Sequence, residues 1–160
     1  MVRAISDNGN GPTARPITSF TASSATAMLP LVSRIVDDLL RLDRAIKAQR
    51  EQLKGVDQLA KTSEHPDYQD ELFDIRGSLE EDQRLFQSCM SELTALGINP
   101  HVPFDGTVDF PTDLNRRAVR LCWQPGEERV EYWHEIGATK NDRRKLLSPA
   151  EVELRGQEDL

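Results

Sequence analysis

Two long stretches of this chain repeat apolar residues at alternating spacings of three and four, a period that a helix satisfies and a strand does not. The apolar positions of the first stretch are Met28, Val32, Ile35, Leu39, Leu42, Ile46 and Leu53. Those of the second are Leu72, Ile75, Leu79, Phe86, Cys89, Leu93 and Leu96. Gln49 interrupts the first seam and Asp82 the second. The spacing predicts two long helices packed antiparallel as a coiled-coil-like hairpin.

Local signals mark the ends of the first helix. Thr21 is a good N-cap, and Phe20 before it can form a hydrophobic staple. Pro30 lies in the second turn, where the missing backbone donor predicts a kink. Gly55 is the expected end, with an extension to Ala60 as the alternative. The second helix is predicted to run from about residue 66 to residue 97.

Several large apolar residues lie off the two seams: Leu29, Leu31, Val36, Leu40, Phe73, Leu85 and Met90. A pair of helices buries one narrow stripe on each, so these side chains need a further surface. Either the C-terminal region covers them or a second subunit does, although single apolar residues are often simply exposed. The pattern favours a module that works through self-association, for example as a homodimer, or through a protein partner.

Beyond residue 100 the period becomes alternating, which predicts three short strands at 107–110 (ended by Pro111), 118–123 and 129–136. Pro125 and Gly126 have turn chemistry. Closing a hairpin there pairs Leu121 with Val130, which places Tyr132 and His134 on the same face as Leu121. Residues 137–145 are predicted to form a polar loop.

The predicted fold class is therefore α+β, mainly α: a long antiparallel helical hairpin followed by a small antiparallel β-meander. A single domain is expected over 19–147, with the hairpin at 19–98 and the β element and loop at 99–147. Residues 1–18 and 148–160 have few apolar side chains, so we expect a disordered N-terminal tail and a flexible C-terminal tail.

Charge and cysteine content narrow the functional class. The chain has 20 Lys and Arg against 27 Asp and Glu, a net charge of −7, which argues against nucleic acid as a partner. We find no signal peptide and no apolar run long enough for a bilayer, and expect no membrane contact. Cys89 and Cys122 form neither a disulfide framework nor a zinc motif. A cytoplasmic location is the expectation.

The candidate functional cluster consists of Asp109, Glu127, His134, Glu135 and Arg143. Histidine and carboxylates bind zinc, iron or manganese and also serve acid–base chemistry. His134 and Glu135 are neighbours on a predicted strand and point to opposite faces, so they cannot share one metal. A site would need His134, Asp109 and a helical ligand such as Asp82. We favour the alternatives in which His134 is a half-buried structural side chain and Asp82 faces outward.

Trp123, Tyr132 and Trp133 could stack a base or grip a peptide, but we favour a role in anchoring the sheet against the helices. Cys89 and Cys122 are expected to be inert, and His101 to lie in a loop. We assign no catalytic residue and no cofactor, and a non-catalytic interaction module is the favoured function. The alternative is a metal-dependent or acid–base enzyme with its site at the junction of the β element and the helices (Asp109, Glu127, His134).

The chain also resembles a known family through a series of short motifs. They are Phe20-Thr21, Met28-Leu29-Pro30-Leu31-Val32, Val108-Asp109-Phe110-Pro111, Leu121-Cys122-Trp123, Gly126-Glu127 and Tyr132-Trp133-His134-Glu135. In this order, over residues 20–146, they resemble a bacterial family known as domain of unknown function 2203. The resemblance implies a helical hairpin followed by a small β element, and no established activity. It is weakest at 137–143, where the family's glycine-rich stretch is missing and only Arg143 matches.

Overall fold

The computed structural model describes residues 19–62 and 66–147. Two long helices, α1 (Ala22–Thr62) and α2 (Pro66–Ala95), pack along each other. A five-stranded antiparallel sheet follows, with its strands side by side in chain order. The strands are β1 (Asn99–Pro100), β2 (Val108–Leu114), β3 (Arg117–Trp123), β4 (Tyr132–His134) and β5 (Arg144–Lys145). This architecture confirms the predicted fold class, while the two predicted tails lie outside the described residues.

Helix α1 begins as predicted but ends later. The Ser24 backbone N–H donates to Thr21 Oγ1 (3.0 Å), and the Thr21 N–H donates to Ser24 Oγ (2.9 Å), which confirms Thr21 as the N-cap. The predicted end at Gly55 is wrong, because the helix continues to Thr62. Val56 is buried with Leu72 and Ile75 of α2, so packing outweighs the cost of about 1 kcal/mol for a helical glycine.

The two polar residues of the helical seams meet each other across the hairpin. Gln49 Nε2 donates to Asp82 Oδ2 at 2.8 Å, and both side chains are partly buried. The expectation that Asp82 faces outward is therefore wrong. A single polar pair inside an apolar seam fixes the register of two helices, because any sliding would leave both groups buried without a partner.

The sheet covers much of the apolar surface that the hairpin leaves open. Leu29 and Val36 of α1 are buried in one cluster with Phe110 of β2 and Trp123 of β3. Other off-seam side chains remain in solvent, among them Leu31, Leu85 and above all Phe73, which is 77% exposed. The C-terminal region thus supplies the covering surface for the first part of the hairpin.

Strand β2 continues through Pro111 to Leu114, so the predicted end of this strand at Pro111 is wrong. The Pro111 carbonyl accepts a hydrogen bond from the Phe20 N–H (2.8 Å), so this side of the residue faces the start of the helical hairpin rather than β3. In an antiparallel strand the N–H and C=O of one residue point to the same side, and the missing proline N–H therefore costs no bond to β3. Phe20 also packs edge-on against Phe110, with ring centroids 5.2 Å apart.

The register predicted for the second hairpin is wrong. Leu121 pairs with Trp133 and not with Val130, because the connection contains residues 124–131 rather than a tight turn. Val130 lies outside the strands, and its N–H donates to Thr26 Oγ1 on α1 (3.1 Å). His134 is consequently opposite Arg120, on the face away from Leu121. The predicted loop 137–145 contains a turn of 3-10 helix, Lys140–Asp142, and strand β5.

Candidate metal centre

The face of the sheet turned away from the helices carries buried polar residues. Asp109 of β2 lies directly opposite Cys122 of β3, and Arg120 of β3 lies opposite His134 of β4. Directly opposed residues share a face, and so do residues two apart on one strand. The strand register therefore brings an aspartate, a cysteine and a histidine to one surface, where all three are buried.

His101 joins this group from the end of β1. Its backbone N–H donates to the Thr107 carbonyl (3.0 Å), which extends the pairing of β1 with β2 by one residue. The two imidazole rings of His101 and His134 meet edge to face, with centroids 5.8 Å apart. Four side chains from four different segments thus converge on one point.

The donor atoms of this group are close enough to share an ion. One donor atom each from His101, Asp109, Cys122 and His134 lies within 4.8 Å of all the others. In a tetrahedral zinc site, bonds of about 2.0–2.3 Å place neighbouring ligand atoms about 3.3–3.8 Å apart. Around an ion the widest separations would shorten by about one ångström, and the shortest contacts to Asp109, at 2.8 and 3.0 Å, would lengthen slightly.

The hydrogen bonds of His134 orient its ring toward this centre. Its Nδ1 lies 2.8 Å from the Glu135 carbonyl oxygen, which can only accept, so Nδ1 carries a proton. Its Nε2 lies 3.0 Å from Asp109 Oδ1. A neutral imidazole has one N–H, which in His134 is on Nδ1. Nε2 therefore turns a lone pair toward the Asp109 carboxylate, unless a cation or a second proton lies between the two atoms. Metal-binding histidines have this arrangement, with the far nitrogen donating to a carbonyl.

His101 has a contact with the same carboxylate that is close but not a hydrogen bond. Its Nε2 lies 2.8 Å from Asp109 Oδ2, and the same atom is buried without a hydrogen-bond partner among the described residues. The distance is short, while the direction of the nitrogen does not suit donation to that oxygen. A buried ring nitrogen close to a carboxylate but without a hydrogen bond to it is available to bind an ion.

Cys122 is the fourth donor and is completely buried. Burial in the sheet, together with the neighbouring Asp109, raises the pKa of its thiol to about 12. The sulfur therefore keeps its proton when no cation is near. A bound transition metal would replace that proton, because a coordinating thiol is deprotonated outright.

The members of the cluster predicted from the sequence fall into three places. Asp109 and His134 come together in the centre described above. Glu127 and Arg143 form an ion pair (2.5 Å), and this pairing raises the pKa of the Arg143 guanidinium. Glu135 follows the end of β4, is not one of the four donors, and forms an ion pair with Arg117 (2.6 Å).

The three aromatic residues do not form one surface. Trp123 belongs to the helix-facing core, and its Nε1–H donates to the Glu127 carbonyl (2.9 Å). Trp133 packs against that core as well. Tyr132 lies opposite Cys122, on the other face of the sheet, where Arg143 stacks 4.1 Å from its ring centroid. The positions of Trp123 and Trp133 support the predicted anchoring role, whereas that prediction is wrong for Tyr132, which faces away from the helices.

Sequence reasoning missed two members of the centre, His101 and Cys122. A signal for Cys122 was present, because the alternation that turns Leu121 and Trp123 inward turns Cys122 to the other face. The same alternation in β2 sets Asp109 apart from Val108 and Phe110. No comparable signal exists for His101, whose place depends on a strand of two residues.

A pocket of about 440 Å³ opens beside the centre. Its walls include His101, Asp109, His134 and Arg120 from the sheet. The segments 100–105 and 137–141 complete it on both sides. Three of the four donor residues therefore line the pocket, whereas Cys122 is buried and is not among its lining residues.

Comparison with known proteins places the chain in a family. The sequence model of the uncharacterized conserved protein family DUF2203 matches residues 18–146, so the chain belongs to that family. No curated protein and no solved structure gives a significant match. Neither of the described helices is long and apolar enough to cross a membrane.

Proposed function

We propose that this member of the DUF2203 family binds one divalent transition-metal ion through His101, Asp109, Cys122 and His134, and that it is a metal-dependent enzyme. The observation that carries the proposal is the convergence of these four donors, from four separate segments, within 4.8 Å of one another. Residues that are adjacent in a sheet do not in general all have side chains that bind metals. The presence of two imidazoles, a carboxylate and a thiol at one point therefore requires an explanation.

The types of donor favour zinc over other common ions. Nitrogen and sulfur ligands suit zinc and its neighbours in the first transition row, whereas magnesium and calcium prefer oxygen. Four donors also match the coordination number that zinc adopts in proteins. Iron and manganese, which accept histidine and carboxylate, are less suited to the thiol of Cys122.

A divalent ion would also satisfy the charges of this centre. Asp109 is a buried carboxylate that lies within 3.0 Å of a nitrogen of each imidazole, and a cation between them would attract both kinds of donor. An uncompensated charge in a buried site is costly. A divalent ion with the carboxylate of Asp109 and the thiolate of Cys122 is neutral.

The pocket determines what such an ion could do. Four protein donors fill a tetrahedral zinc site, but this centre lies at the wall of a cavity of about 440 Å³, from which a fifth ligand could approach. An ion there would act as a Lewis acid by accepting an oxygen of a small molecule in the pocket as that fifth ligand. Glu127, which the sequence placed in the candidate enzyme site, supports the neighbouring loop through Arg143 instead.

Elemental analysis of protein purified without chelators tests the proposal. We expect close to one equivalent of zinc in the wild-type chain. Loss of a residue that only supports a metal ligand lowers the metal affinity about 10–100-fold. Cys122→Ser removes a ligand itself and should lower the zinc affinity by more than that. Cys89→Ser is the matched control, because Cys89 is a free cysteine of helix α2 outside the centre, and it should keep the metal. Wild-type protein without bound metal that takes up none from added zinc would contradict the proposal.

Self-association through the hairpin is the second candidate function. It is supported by the large apolar side chains that remain in solvent on α1 and α2: Leu31, Phe73 and Leu85. Light scattering at high protein concentration should give a mass above the 18.1 kDa of one chain. Phe73→Ser should shift the protein toward that single-chain mass, and a strictly monomeric wild-type protein would contradict this candidate.

A further inference from the structure

Arg120 is a cation in the wall of the pocket whose hydrogen bonding is incomplete. It extends from β3 opposite His134 and lines the cavity together with His101 and Asp109. Its Nη1 is buried and has no hydrogen-bond partner among the described residues. A guanidinium carries five N–H donors, and leaving one of them buried and unsatisfied is unfavourable.

The other charged groups of the pocket already have partners. Lys140 forms an ion pair with Asp105 at the rim. Asp109 lies between His101 and His134, as described above. Neither carboxylate is left to neutralise Arg120, so the matching negative charge has to come from outside these wall residues.

We propose that the pocket binds a small molecule through an oxyanion, a carboxylate or a phosphate, held between the Arg120 guanidinium and the metal ion. This inference rests on the proposed function, because the ion supplies the second positive group. Arginine binds carboxylate and phosphate through two parallel hydrogen bonds, which a buried and unsatisfied Nη1 is placed to complete.

Charge and size both fit this class of ligand. A divalent ion is neutralised by Asp109 and the thiolate of Cys122, so the loaded centre together with Arg120 carries one net positive charge. The cavity of about 440 Å³ lies within the range of about 300–1,000 Å³ that is usual for small-molecule sites. Both properties favour a small anionic molecule over a neutral one.

The experiment uses the full chain loaded with cobalt(II), whose visible absorption reports on its ligands. Inorganic phosphate and acetate are titrated separately, and each is followed by the change in the cobalt bands. We expect a saturable change with at least one of them, and the comparison of the two identifies the preferred oxyanion. Metal-free protein should bind the same anion more weakly.

Two arginine variants of one strand make the test specific. Arg120→Gln should weaken anion binding by about tenfold to a hundredfold while cobalt is still taken up. Arg117→Gln is the matched control, since Arg117 is exposed and pairs with Glu135, and it should bind the anion as the wild type does.

The failures of the two proposals can be told apart. Cobalt-loaded protein that responds to neither anion, or an unchanged affinity in Arg120→Gln, would overturn the oxyanion pocket and leave the metal site standing. The absence of cobalt bands before any anion is added would overturn the metal site and the pocket together.

Discussion

Saturating zinc should raise the midpoint of thermal unfolding by about 8–16 °C. An ion that binds only the folded chain stabilises it by about 4.1 kcal/mol at a thousand times its dissociation constant. In domains of this size, each kcal/mol shifts the midpoint by about 2–4 °C. The effect should be large because one ion would link four of the five strands. Asp109, Cys122 and His134 lie on β2, β3 and β4, and His101 directly follows β1. Differential scanning calorimetry with and without zinc measures it.

Variants separate this shift from a nonspecific effect of zinc. His101→Gln should lose most of the shift, and since His101 is only partly buried, the variant should still fold. Cys89→Ser should show the wild-type shift, because Cys89 is not a member of the centre. An equal shift in His101→Gln and the wild type would mean that zinc stabilises the chain from another site.

The second large effect concerns the core that holds the sheet against the helices. Phe110→Ala should lower the free energy of unfolding by about 3–5 kcal/mol, the usual cost of removing a large buried aromatic side chain. Phe110 is fully buried, packs edge-on against Phe20 and lies in the cluster shared by α1 and the sheet. Urea denaturation measures the loss as a lower midpoint of unfolding, while the dependence of the unfolding free energy on urea concentration should stay unchanged.

Ile136→Ala is the control, because it shortens a large apolar side chain that is 58% exposed and lies outside the core and outside the exposed apolar residues of the hairpin. Its effect should stay within about 0.5 kcal/mol, as for most surface substitutions. Equal losses in the two variants would show that the core does not lie between the hairpin and the sheet.

The hairpin could be predicted from the sequence because two packed helices require apolar residues at a regular spacing within each helix. Val32, Leu39 and Leu42 repeat within one helix and are all buried. The end of α1 could not be predicted from Gly55, since its continuation depends on contacts between Val56 and a second helix. Local propensity is a weak guide wherever such tertiary contacts decide.

The centre could be predicted only in part, because its assembly depends on strand register. The predicted partner of Leu121 was Val130 and the observed one is Trp133, a shift of three residues. An odd shift moves every side chain of a strand to the other face, so His134 changed from the helix-facing side to the side of Cys122. The eight-residue connection 124–131, which is hydrogen-bonded to α1 through the Val130 N–H, sets that register. The sequences of the strands themselves do not indicate it.

The function of this protein depends on whether His101, Asp109, Cys122 and His134 bind a metal ion together. X-ray diffraction from crystals of the zinc-loaded chain, collected on both sides of the zinc absorption edge, tests this directly. We predict one strong anomalous peak among the donor atoms of these four residues, which lie within 4.8 Å of one another. Anomalous density only elsewhere in the molecule, or none at all, would contradict the metal site.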